Sequence, residues 1–154
     1  MESKMRRSDR AITQAETEEI LNKGEYGILS TVSAAGQPYG VPLSYRFMRD
    51  VLYFHCAMEG HKLENIKTNQ KVSFCVVGKT QVLPAEFATN YESAMVFGEA
   101  LEVTDDEKQA GLVAILEKYS PDFIKEGLEY IEQLGKRTKV YKIVIEMITG
   151  KARR

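Results

Sequence analysis

From Tyr26 to Ala57 the chain alternates strand-forming segments with turns of only a few residues, and that spacing restricts it to antiparallel pairing. A parallel crossover needs a dozen residues or more. Gly27-Ile-Leu-Ser-Thr-Val32 is rich in apolar and β-branched residues, and Ala35-Gly36-Gln37 supplies a turn. Residues 38–47 form the second predicted strand, Arg49-Asp50 the next turn, and residues 51–57 the third strand. The expected result is a three-stranded meander.

Three more strands follow. Lys71-Val-Ser-Phe-Cys-Val-Val77 reads as buried on both faces, residues 92–103 as one long strand, and residues 140–148 as an alternating closing strand. Residues 79–90 lack clear periodicity and read as a long loop. Helices are expected at four places. Thr13-Gln-Ala-Glu16 is a capping box opening a helix to about Asn22, with Gly24 closing it. A short helix spans residues 62–69. Thr104-Asp-Asp-Glu107 is a second capping box, followed by Leu112, Ile115, Leu116 and Tyr119 at helical spacing. Ser120-Pro121 ends that helix and starts another with Ile124, Leu128 and Ile131 on one face. Six mostly antiparallel strands with peripheral helices predict a closed barrel, because closure removes exposed edges.

The 154 residues are expected to form one domain with a real core, preceded by a basic arm, residues 1–10, that is either disordered or laid across a partner. A net charge of −1 gives no field to draw in nucleic acid. No apolar run reaches membrane-spanning length and no signal-peptide pattern opens the chain, so a cytoplasmic location is expected. Cys56 and Cys75 read as small hydrophobes in apolar strands, and two cysteines with two histidines argue against a metal site.

The segment Tyr53-Phe-His-Cys-Ala-Met-Glu-Gly-His-Lys62 carries the chemistry. A strand runs into Gly60, which permits a tight turn, and a helix begins with its first N–H groups unpaired. Lys62 adds a full charge beside the helix dipole, and His61 can donate a further hydrogen bond. Such a donor set suits a phosphate. The alternative is a solvated turn before an ordinary helix.

The order of elements and motifs resembles the split-barrel flavoproteins related to pyridoxamine 5′-phosphate oxidase, and more closely the branch that includes 5-nitroimidazole-resistance proteins. The resemblance is carried by Met5-Arg-Arg-Ser-Asp-Arg10, Gly40-Val-Pro-Leu-Ser-Tyr45, residues 52–62, residues 71–77, Val96-Phe-Gly-Glu-Ala100 and Ile148-Thr-Gly-Lys151, nearly the whole chain in order. It implies a six-stranded antiparallel split barrel binding FMN at the interface of a homodimer. His61 and Lys62 would match the pair that holds the FMN phosphate. Leu43, Ser44 and Tyr45 would run beneath the ring and ribityl chain, His55 and Cys56 would face the flavin from the neighbouring strand, and Ser93 would come from the other subunit. Each has a plainer reading: Leu43, Tyr45, His55 and Cys56 as core, Ser93 as decoration of a long strand. Because alternate residues face opposite ways, Ser44 cannot share a surface with its two neighbours through side chains.

The resemblance further implies an FMN-dependent reductase acting on a small electrophile such as a nitroaromatic, with NAD(P)H or another donor and His55 as the candidate catalytic group. Vitamin B6 oxidation is not expected, since the chain has no Trp and no Arg-x-His motif near its C-terminus. Alternatives are a flavin-binding or redox-sensing protein without turnover, or a split barrel holding haem or a deazaflavin.

Overall fold

The structure is a computed structural model and describes residues 3–154; Met1 and Glu2 of the basic arm lie outside the described residues. Seven antiparallel strands form one sheet in the order β2-β1-β5-β6-β7-β4-β3. They are β1 Gly27–Val32, β2 Pro38–Leu43, β3 Arg46–Met48, β4 Val51–Cys56, β5 Lys71–Leu83, β6 Ala88–Val103 and β7 Lys139–Arg153. The helices are α1 Gln14–Lys23, α2 His61–Thr68, α3 Asp105–Tyr119 and α4 Ile124–Leu134.

The expected six strands become seven because the second one is two. β2 pairs with β1 and β3 pairs with β4, and these lie at opposite edges of the sheet. The predicted meander is therefore corrected. The chain crosses between the two edges through Ser44 and Tyr45, and there the barrel is split. Tyr45 is fully buried at the crossing and donates its hydroxyl to the Leu21 carbonyl at 2.5 Å. Around it, Leu29, Leu52, Phe54, Phe74, Val76, Val96 and Ile143 fill the barrel with no exposed surface.

Two further expectations need correction. Residues 79–90 are not a loop: β5 and β6 continue as a two-stranded arm to the Leu83–Ala88 pair. Val82 and Phe87 are 69% and 97% exposed on this arm, so neither face alternates between core and solvent, and the sequence carries no period to read. The box at Thr104 does not form, since its side chain makes no capping hydrogen bond and Asp105 takes a left-handed φ of 53°. The first box does form. Thr13 accepts from the Glu16 amide at 3.1 Å, and Glu16 accepts from the Thr13 amide at 3.0 Å. That helix lies on β7 where Gly150 leaves room for Thr17.

Candidate functional site

β4 alternates cleanly. Leu52, Phe54 and Cys56 point into the barrel, and Val51, Tyr53 and His55 point outward. Beyond its end, Gly60 takes φ +152°, a conformation suited to glycine, and caps α2. The Gly60 carbonyl accepts from the Leu63 and Glu64 amides, each at 3.1 Å. No side chain caps the helix, so the amides of His61 and Lys62, the first two of the helix, face outward without a capping acceptor. Space around Gly60 is open. Leu63 and Ile66 bury α2 against the barrel, while the buried Asn65 amide donates to Thr31 at 2.9 Å and fixes the helix on β1.

Tyr39, on β2 opposite Thr31, stacks on the His61 ring with centroids 4.1 Å apart and planes at 28°. The sequence does not mark Tyr39. Only the β1–β2 register brings it beside α2.

His55 keeps an exposed edge, but its ring is crowded, and burial followed by the charge of Lys62 lowers its pKa below the usual 6.5. The imidazole is thus neutral at pH 7. Lys62 also opposes the rise that burial imposes on the Cys56 thiol, so the strand end and the helix start share one electrostatic neighbourhood. An NMR titration of the histidines should show His55 protonating below 6.5. The unfolded chain then binds more protons than the folded one as pH falls below 6.5, so His55 should subtract stability through that window. A His55→Gln variant should lose that part of the acid sensitivity, which denaturant midpoints measured at several pH values would reveal.

The other candidate residues separate. Tyr45 and Cys56 turn their side chains into the core, and Leu43 packs against it, which corrects the expectation that Cys56 faces the same surface as His55. Consecutive strand residues cannot share a face. Ser44 is exposed at the split. Ser93 pairs with Val77, whereas β1 beside the Thr31 anchor pairs at Ser73. That four-residue offset puts Ser93 about 13 Å along the sheet, at about 3.3 Å per residue. One protomer does not bring it to His61 and Lys62.

On the outer face, α3 and α4 enclose a cleft of about 450 Å³ with His55 on its sheet side. At the C-terminal end of α3, Tyr119 clasps the split. Its hydroxyl accepts from the Tyr45 amide at 3.0 Å and donates to the Glu25 carbonyl at 2.6 Å. Tyr119→Phe should cost about 1–2 kcal/mol in chemical denaturation, because the part-buried Tyr45 amide would lose its acceptor. Beside it, the Lys118 ammonium sits 3.7 Å over the Tyr45 ring with no hydrogen-bond partner among the described residues, and burial, then Arg46, lowers its pKa to about 8. A larger cavity, about 1150 Å³, lies elsewhere, near Ile12, Asp50 and Glu146, and neither histidine lines it. No helix among the described residues is long and apolar enough to cross a membrane.

No curated protein matches the chain. Many solved structures are similar in fold, among them the following three. A proposed 5-nitroimidazole antibiotic resistance protein from Bacteroides thetaiotaomicron gives a TM-score of 0.76 at 24% identity, over 92% of this chain and 86% of that one. An FAD-binding protein from Mesorhizobium loti gives 0.66 at 25% identity, over 94% and 98%. An FAD and haem binding protein from Mycobacterium smegmatis gives 0.76 at 18% identity, over 92% and 72%. The family model described as pyridoxamine 5′-phosphate oxidase matches residues 13–152, a span that takes in the capped first helix, the whole sheet up to Ala152 and the Gly60-His61-Lys62 cradle, and the chain therefore belongs to that family.

Proposed function

We propose that this chain binds a flavin, specifically FMN, and with it reduces a small electrophile such as a nitroaromatic. The observation that carries the reading is the start of α2: uncapped amides at His61 and Lys62, an ammonium, and an imidazole stacked on Tyr39. That donor set fits a phosphate dianion, and Gly60 adds no side chain to compete for it. The proteins of similar fold named as FAD-binding support a flavin in general. The preference for FMN rests on a terminal phosphate meeting this cradle.

A bound flavin would supply hydride acceptance and electron transfer. The chain's own residues would hold the phosphate at His61 and Lys62 and offer one hydrogen bond from the neutral His55. Overall, a nitro group would take two electrons and two protons to give a nitroso group and water, with NAD(P)H supplying hydride and solvent a proton. A homodimer fits the same reading. Ser93 lies too far from His61 to act within one protomer, and the exposed Phe87 and Val82 offer a second copy apolar surface to cover.

A visible spectrum of the purified protein, repeated after adding FMN, tests the proposal. Flavin bands that remain with the protein through gel filtration support it, and a protein that takes up no FMN overturns it. A Soret band would favour haem instead, a reading for which the neutral His55 at an apolar cleft is the one specific observation.

A further inference from the structure

The cleft between α3 and α4 is not needed for phosphate binding, yet it adjoins that site through His55. Its walls include Leu116, Phe123, Tyr130, Ile131 and Leu134, with His55 on the sheet side. Its volume of about 450 Å³ falls within the range of small-molecule pockets. The helices meet where Gly127 faces Leu116, and a Cβ at Gly127 would fall on the Leu116 side chain. That contact sets the spacing of the two helices. α4 buries none of its residues completely, and Phe123 and Tyr130 remain 62% and 64% exposed. Aromatic surface of this extent, gathered around a concavity, is costly to leave in water.

The charges of the lining limit what can enter. Among the described residues no lysine or arginine lines the cleft, and the one carboxylate there is Glu126. An anion held against the α3–α4 walls, away from Lys62 beyond His55, would lose its hydration with no cation among the lining residues to replace it. A second phosphate, as in a phosphorylated B6 vitamer, is therefore a poor occupant. Flat aromatic walls favour a planar molecule through stacking and edge contacts. The neutral imidazole can donate one hydrogen bond to a single polar group.

We infer that the α3–α4 cleft binds an uncharged, planar aromatic molecule whose polar group meets His55. This names the substrate class of the proposed reductase and rests on that reading for its role, though not for the binding itself. The chain has two histidines, so NMR of the full chain with labelled histidine reports both sites at once. The probe is 4-nitrobenzyl alcohol, with 4-nitrobenzoate as its charged counterpart and FMN titrated separately.

The neutral probe should move the His55 signal saturably and leave His61 still, whereas FMN should move His61. The carboxylate should bind about tenfold or more weakly, reflecting the uncompensated desolvation of its charge. A Phe123→Ala, Tyr130→Ala double variant removes two exposed side chains with little risk to folding. It should raise the half-saturation concentration about fivefold or more, as loss of two aromatic contacts would require. A His55 signal that ignores millimolar neutral probe, or equal affinity for the carboxylate, would overturn the inference. If FMN moves neither His61 nor His55 while the neutral probe still moves His55, the flavin reading falls and the cleft stands.

Discussion

Gly98→Ala is expected to destabilise the fold by about 3 kcal/mol or more, the upper end of what overpacking costs, read as a lowered denaturant midpoint with an unchanged slope. The reason lies in the β6–β7 ladder. Phe97 pairs with Met147 but Gly98 pairs with Ile145, so Glu146 is an extra residue on β7. A bulge of this kind kinks the strand. Here it carries the Val144 carbonyl into the space that a Cβ at Gly98 would occupy. A flexible side chain could swing aside, but this neighbour is backbone. β7 is also held in place, because the Ile145 amide donates to the Asp50 carbonyl at 3.0 Å and the adjacent Ile143 is fully buried. The glycine of Val96-Phe-Gly-Glu-Ala100 is thus explained by close approach. A variant with wild-type stability would mean that β7 can give way at the bulge.

The sequence was most legible where one face is buried and the period is short. β1 and β4 showed their strands because every second residue enters the core, whereas the first half of β5, which reads as buried on both faces, in fact buries only Val72, Phe74 and Val76. The capping box at Thr13 and the turn into α2 at Gly60 were readable because both are local arrangements of side chain and backbone. Non-local facts were not readable. Nothing within residues 38–47 marks Ser44 and Tyr45 as the point where the chain leaves one sheet edge for the other, since both halves read as strand and only pairing partners distinguish them. The clasp at Tyr119 joins residues 74 and 94 positions away and has no local signature. Tyr39 reaches His61 only through register. The resemblance placed His55 and Cys56 together, yet the two-residue period of a strand separates them, one toward the α3–α4 cleft and the other into the core.

Lys62→Ala should weaken FMN binding by about a hundredfold while leaving riboflavin, which lacks the phosphate, nearly unchanged. A hydrogen bond to a charged partner contributes about 1.5–3 kcal/mol, and the half-buried Lys62, reinforced by the helix start, argues for the upper part of that range. The same variant should flatten the salt dependence of FMN affinity, because the screened charge pair is gone. His61→Ala should cost less than Lys62→Ala. The imidazole is exposed and held by stacking on Tyr39, so its hydrogen bond competes with water. Flavin absorbance or fluorescence titration of both variants, with both ligands, separates the possibilities. Equal losses for FMN and riboflavin would mean that Lys62 supports the shape of the pocket and not the phosphate. Undiminished FMN binding would move the phosphate away from α2 altogether, and with it the reason for preferring FMN over a flavin held by its ring alone.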